Sequence, residues 1–218
     1  MGVWTMWLDL VRSVLHMLAS EAGLGLGFAI IVTTLLLRAA LSPISWTAAY
    51  RGCVRQKKMK RLQPELARLK KQFADRPDEY TRQMVELYRR HGLSLLDGKS
   101  VVAAFAQMPV FIGMYHVLRK TGEGVRFWWI PNLIKPNTVL AIIAGITTAL
   151  VILANPDMPE HVRLLMIAIP SIIAMISALH FCSALALYWT TSNCFSMTQT
   201  FALHFVVGRR IRSGTLKI

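Results

Sequence analysis

The sequence predicts an all-α polytopic membrane protein: five transmembrane helices, a cytoplasmic helical hairpin and an N-terminal interfacial helix. Three observations carry this. The 218-residue chain is 54% hydrophobic and only 17% charged, more apolar than an ordinary soluble domain, in which about a quarter of residues carry charge. Its 25 Lys and Arg against 11 Asp and Glu give a net charge of +14, which in a soluble protein would point to nucleic acid. The charge is segregated, however. Residues 42–100 hold 14 basic and 6 acidic residues, net +8, while long runs on either side hold almost none. Apolar blocks joined by basic connectors are the pattern of a membrane protein.

The elements follow in order. Met1 to Trp7 has no basic region and no small-residue cleavage pattern follows, so residues 1–21 read as a helix and not as a signal peptide. Trp4, Trp7, Val11, Val14 and Leu18 recur in steps of three and four, with Asp9, Arg12, Ser13 and His16 opposite. This is an amphipathic helix, and its paired tryptophans suit the membrane interface. A hydrocarbon core of roughly 30 Å needs about 20 apolar helical residues. Five blocks offer this within a core of 22–207: Ala22 to Leu41, Val101 to Leu118, Val139 to Ala154, Leu164 to Phe181 and Ala184 to Val207. The last two nearly touch, which predicts a tight hairpin around Cys182 and Ser183. The loop from Thr121 to Pro136 carries Phe127, Trp128 and Trp129, the composition of an outer aromatic belt.

Basic residues in short loops stay on the cytoplasmic side. That assigns 51–99 and the basic tail 208–218, with Arg209, Arg210, Arg212 and Lys217, to the cytoplasm and the N-terminus to the outside. Five crossings put connector and tail on the same side, in agreement. The Arg119 to Lys135 loop is mildly basic for an outer loop, and the Asn155 to Arg163 loop has only Arg163.

The cytoplasmic connector has its own periodicity. Met59, Leu62, Leu66, Leu69 and Phe73, then Tyr80, Met84, Leu87 and His91, step by three and four on either side of Asp75 to Asp78. Two helices closing on one another result, with Pro77 in the first turn of the second. The basic face of the first, Lys57 to Lys71, reads either as a solvated face or as an attraction to lipid phosphate or RNA. Cys53, Cys182 and Cys194 have no paired spacing and read as packing residues.

Arg38 is the most informative residue. It is the sole charge in the 29 residues from Ala22 to Tyr50. Deep in a bilayer, an arginine costs about 2.5–3.5 kcal/mol on insertion scales and usually faces a bundle interior or a water-filled cavity. If Pro43 ends the helix, Arg38 instead lies one turn from the interface and snorkels. Both readings stand on local sequence. No acidic residue lies in the other four spans, which argues against a proton-coupled transporter. Uncharged polar groups are plentiful: Gln107 in the second span, Thr147 and Thr148 in the third, Thr190, Thr191, Ser192, Asn193, Ser196, Thr198 and Gln199 in the fifth. They read as glue between helices or as a hydrated face. No nucleophile elbow, glycine-rich phosphate loop or metal-ligand cluster is present, so no enzyme, catalytic residue, cofactor or metal is expected.

These residues resemble the YidC-type (YidC/Oxa/Alb) membrane protein insertases, from about Gly23 to Val207. The likeness rests on Arg38 followed by Pro43, on Leu62-Gln63-Pro64-Glu65, and on Gln107-Met108-Pro109-Val110-Phe111 with Tyr115. Trp129-Ile130-Pro131, Leu133, Pro136, Pro170, Leu187-Tyr188-Trp189, Ser192-Asn193 and Gln199 complete it. Leu93-Ser94-Leu95, Val101-Val102-Ala103 and Cys182-Ser183-Ala184 depart from the family pattern, and Asn132 and Asn137 stand where it usually has aspartates. No stretch resembles the large periplasmic domain of many Gram-negative members, as in a short or divergent bacterial-like member. The resemblance implies five helices around a hydrophilic groove open to the cytoplasm, and an insertase and chaperone for nascent membrane proteins. Arg38 becomes the groove arginine, with Gln107, Tyr115, Tyr188, Thr191, Ser192 and Gln199 as substrate-binding candidates. The implied partners are nascent membrane proteins and the lipid bilayer, with ribosome and Sec translocon left open. The implied location is the bacterial inner membrane, with the mitochondrial inner membrane as the alternative. The rival from the residues alone is a small channel or solute carrier using Arg38 for selectivity; a lipid-modifying enzyme ranks lowest.

Overall fold

The computed structural model describes residues 2–93, 98–121, 124–155 and 160–216, with side chains for these ranges apart from 98–107, 120 and 160–162. Among the described residues the architecture is all-helical: α1 Val3–His16, α2 Gly25–Gln72, α3 Pro77–Arg90, α4 Gly98–Thr121, α5 Thr138–Leu153, α6 Glu160–His180 and α7 Ser183–Arg212.

The helix α1 matches the amphipathic segment and continues into a π-helical turn, Met17–Glu21. Its inner face differs from the expected one. Val11 and Leu15 are buried, with Trp7, Leu8 and Leu18 packed beside them, while Trp4 is exposed. The face is turned toward protein: α1 packs on α4 and α2, and a Cβ at Gly113 of α4 would collide with the Trp7 indole. Gly23 and Gly25 then take left-handed φ values of 66° and 72°, swinging the chain into α2.

The first span was expected to end near Leu41, with a stop at Pro43 as one reading of Arg38. In the structure α2 runs unbroken for 48 residues through both Pro43 and Pro64, about 72 Å at 1.5 Å per residue. An interior proline removes a backbone hydrogen bond at a cost of ~3 kcal/mol. Packing on both sides of it holds the helix straight through: Leu37 and Leu41 join the central core above, and Trp46, Tyr50, Cys53 and Val54 pack against Leu203, Val207 and Ile211 of α7 below.

The hairpin of α2 and α3 forms as the periodicity indicates, with Pro77 in the first turn of α3. Its seam is Leu62, Tyr88 and Leu93, flanked by Met59, Leu66 and Met84. Tyr88, not the expected His91, closes the lower end; His91 is exposed, because the return turn at Gly92, φ 63°, carries Leu93 back onto α2 in its place. Burial, and then neighbouring Tyr80, raise the Tyr88 phenol above its ordinary pKa.

The expected short link at Cys182 and Ser183 is present, but α6 and α7 do not form a packed hairpin. They scarcely touch; each packs on α5 instead. The reason is the small-residue stripe Ala141, Ala144 and Gly145 on α5, which admits α6 so closely that a Cβ on Gly145 would lie 3.1 Å from Met175 Cβ and 3.2 Å from the Ser171 carbonyl. The loop 124–137 then caps the bundle. Leu133 O and Lys135 O accept from the Ala184 and Ser183 backbone N–H groups at 2.9 and 3.2 Å, and Lys135 O also from the Ser183 hydroxyl at 2.6 Å, satisfying the otherwise orphaned start of α7. Asn137 caps α5 through Leu140 N at 3.0 Å, and Asn132 Oδ1 accepts from Ile134 N at 3.0 Å. Phe127 is buried, not part of an exposed belt; only Trp128 and Trp129 of that trio face outward. Cys53 and Cys182 pack inside as expected, whereas Cys194 is exposed. The expected tail from 208 is helical to Arg212 and then turns back at Gly214, φ 71°, returning Leu216 to the α2–α7 core.

By length and composition, α2 and the Arg163–His180 stretch of α6 are long and apolar enough to cross a membrane among the described residues; Thr138–Leu153 is apolar but shorter. Leu164, Leu165, Ile169, Ile172, Ile173 and Ile176 of α6 are all exposed apolar side chains.

Candidate functional site

Three helices run in one direction through the centre of the molecule. Arg38 of α2 bonds Ser192 of α7, Ser45 bonds Gln199 seven residues on, and Cys53 meets His204 further along. The matched advance along both chains means that α2 and α7 are parallel. Ser183 against Lys135 and Asn193 against Thr147 and Thr148 align α5 the same way.

Arg38 stands where α2 meets α7. The unbroken α2 puts it 13 residues before Arg51, roughly 20 Å, and Ser192 lies nine residues past the start of α7, roughly 14 Å. It is therefore far from both of these points, and the helix end at Pro43 on which the snorkelling reading rested is absent. Its Nε–H donates to Ser192 Oγ at 2.5 Å. Ser192 is held there by its own burial, at 3% exposure, in the first half of α7, where Ala184 to Tyr188 are also buried. Among the described residues Arg38 makes no ion pair, and α4, α5 and α7 contain no Asp or Glu at all. A guanidinium has five N–H donors, and Nε–H is the one with a protein partner here.

Beside it is a cavity of about 250 Å³ lined by Arg38, Met108, Phe111, Tyr188, Trp189, Ser192 and Asn193. Phe111 of α4 makes the apolar wall: its ring lies 5.6 Å from Trp189, edge to face, and 6.3 Å from Tyr188. One cation, a hydroxyl, an amide and a phenol thus converge on a space otherwise walled by aromatic rings and a thioether. In such surroundings charge interactions are screened less than in water. The arrangement suits binding of an anionic or polar group by charge and hydrogen bonding.

Of the sequence candidates, Arg38, Tyr188 and Ser192 come together at the cavity. Thr191 adjoins them, but its hydroxyl donates to Leu187 O of its own helix at 2.8 Å. Gln199 lies two turns away and donates through Nε2 to Ser45 Oγ at 3.1 Å, tying α7 to α2. Tyr115 is displaced toward the C-terminal end of α4: Arg119 donates to its hydroxyl at 3.5 Å, and Phe181 lies 5.8 Å from its ring. Gln107 lies outside the residues whose side chains are described. Sequence reasoning did not place Met108, Phe111, Trp189 and Asn193 at the site. Their signal was proximity: each adjoins a candidate or lies within one turn of it, and an apolar side chain carries no mark in the sequence of facing a cavity.

The polar stretch of α7 divides between the two readings given to it. Asn193 Nδ2 donates to Thr147 and Thr148 at 3.2 and 2.9 Å, holding α5. Thr198 and Thr200 bond back to carbonyls of their own helix, and Thr190 Oγ1 is buried with no partner among the described residues. Only Ser192 and the cavity edge of Asn193 face the space beside Arg38.

The sequence profile of the family described as "60Kd inner membrane protein" matches residues 17–208. "Membrane protein insertase YidC 1" of Bacillus cereus is 36% identical over 203 residues, 86% of this chain and 75% of that protein. "Membrane protein insertase YidC" of Pseudomonas putida is 32% identical over 196 residues, 88% of this chain and 33% of that protein; the chain therefore spans about a third of that relative's length. In three dimensions the chain is similar to a solved structure described as "Active YidC insertase crystal structure with the first transmembrane domain resolved", with a TM-score of 0.70, 20% identity, 90% of this chain and 46% of that one covered. That likeness shows the fold.

Proposed function

The chain belongs to the family of the 60Kd inner membrane protein, and on that premise we propose that it inserts nascent membrane proteins into a bilayer, receiving polar client segments beside Arg38 and releasing apolar ones to lipid. The observation that carries the proposal is a guanidinium roughly 20 Å from the nearest other cation of its helix, bonded to one serine, at the edge of a partly polar cavity. A charged client tail crossing a bilayer meets its highest cost at mid-depth. An arginine held there offsets part of that cost for acidic tails.

In this reading α2, α4, α5, α6 and α7 make five crossings in the inner membrane of a bacterium, with the N-terminus outside and 51–99 and the α7 terminus in the cytoplasm. The exposed apolar surface of α6 supports contact with lipid. The groove extends from the Arg38 cavity toward the cytoplasm, and the α2–α3 hairpin receives incoming chains there. Its basic outer face is where a ribosome or translocon would meet it.

The test uses paired clients that differ only in tail charge. Arg38→Ala lowers insertion of the acidic-tailed client at least several-fold more than that of the neutral one, and Arg38→Lys, which keeps the charge without the planar fork, retains most of it. Equal, wild-type insertion of both clients by Arg38→Ala would overturn the electrostatic role. A solute flux that changes while insertion does not would instead favour a channel or carrier.

A further inference from the structure

Away from the Arg38 cavity, the junction of α2 and α7 gathers a second set of cations. On α2 the residues before Arg51 carry one charge, Arg38; on α7 no Lys or Arg precedes Arg209. Because the two helices are parallel, these charge boundaries fall near one another, within about two helical turns, and are joined where Arg210 Nη1 donates to Tyr50 Oη at 3.3 Å and its guanidinium lies 5.5 Å from the Tyr50 ring centroid. Trp46 and Tyr50, one turn apart and half-buried against α7, mark that level as a membrane interface. Arg209, Arg210 and Arg212 surround the exposed sides of the α7 end, with Ile211 turned inward. The end itself is fixed: Thr215 Oγ1 donates to Arg210 O at 3.0 Å, and Leu216 N donates to the same carbonyl at 3.0 Å.

On α2, Arg51 and Arg55 lie one turn apart beside Tyr50. Two guanidinium nitrogens of Arg55, Nε and Nη1, are shut off from solvent without a hydrogen-bond partner among the described residues. None of Arg51, Arg55, Arg209, Arg210 and Arg212 forms an ion pair among the described residues. Arg51, next to Tyr50 in the chain, and Arg210, stacked on its ring, are both exposed guanidinium forks, a shape that matches a phosphate oxyanion bidentately.

We propose that the α2–α7 junction, through Arg51 and Arg210, is a binding site for the phosphate of an anionic phospholipid headgroup. The proposal uses the membrane-spanning reading but not the insertion activity, and its test contains no client, so failure of one leaves the other standing.

The full chain, purified in an uncharged detergent, is titrated with phosphatidylglycerol or phosphatidylcholine of identical acyl chains, and bound lipid is counted by native mass spectrometry. Wild type retains several-fold more phosphatidylglycerol, Arg51→Gln/Arg210→Gln brings the ratio close to one, and Arg126→Gln in the outer loop leaves it unchanged. Arg209→Gln/Arg212→Gln, at exposed positions, lowers the ratio partway and serves if the first pair unfolds. A wild-type ratio near one, or a wild-type ratio in both double variants, overturns the site. Displacement of the lipid by an equal concentration of inorganic phosphate would make it a free-phosphate site, and displacement by a short RNA would make it an RNA surface; either overturns the lipid assignment.

Discussion

At the scale of single residues, the chain separates side chains that hold the fold from those that face the cavity. Asn193 is a holding residue, bridging to Thr147 and Thr148. Thr148 keeps its own 2.7 Å bond to Ala144 O, and Thr147 one of 3.1 Å, so Asn193→Ala orphans no hydroxyl. We expect a loss of about 0.6 kcal/mol, the average for such interhelical bonds in a membrane, read as a small fall in the unfolding midpoint in detergent. Gly27 is different. Any Cβ there would fall inside the Phe127 ring, and that ring also packs edge to face on Phe28 at 5.2 Å. Overpacking typically costs about 1–3 kcal/mol, so Gly27→Ala lowers the same midpoint more than Asn193→Ala does. A smaller effect would mean that the outer loop yields without loss.

At the scale of elements, the hairpin is fastened to itself more than to the bundle. Its seam of Leu62, Tyr88 and Leu93 is a satellite core separate from the central one. Tyr88→Ala removes most of a buried aromatic side chain, a change of about 3–5 kcal/mol in a well-packed core, and here it loosens α3 from α2. Proteolysis confined to residues 73–93, with the rest intact, is the expected outcome. Replacing Asp75 to Asp78 by a short glycine linker is expected to lower insertion while the protein stays at wild-type abundance in the membrane. Degradation of that variant would make the hairpin a structural element rather than a receiver of clients. The periodicity of 59–73 and 80–91 made this pair of helices legible in the sequence. His91 was misassigned because a three- and four-step pattern extends past a helix end, whereas the glycine at 92 ends it.

At the scale of the molecule, the parallel run of α2, α5 and α7 requires that the chain return between them, through α4 and α6. With five crossings, Ala74 and Thr215 share one side. Single cysteines at these positions in a cysteine-free variant should react only with reagents that reach the cytoplasm. Labelling of either from outside would invert the proposed orientation. Cys53 and Cys182 are buried, so the cysteine-free background should use Ala or Ser there and be checked for its unfolding midpoint first.

The sequence by itself determined the helical class, the places of the apolar blocks, the paired helices of 59–91 and the isolation of Arg38, because hydropathy, 3.6-residue periodicity and an isolated charge are local properties of the chain. Tertiary structure decided the rest. Whether Pro43 ends a helix depends on what packs around it, and α7 together with the central core keeps α2 continuous, which is what leaves Arg38 well inside the helix and against Ser192. Which hydroxyls and amides face the cavity depends on the register of α7 against α2 and α5, so Ser192 and Tyr188 reach it while Gln199 and Tyr115 are held elsewhere. The apolar wall of Met108, Phe111 and Trp189 was equally invisible, since an aromatic or thioether side chain reads the same in sequence whether it meets lipid, a neighbouring helix or an open space.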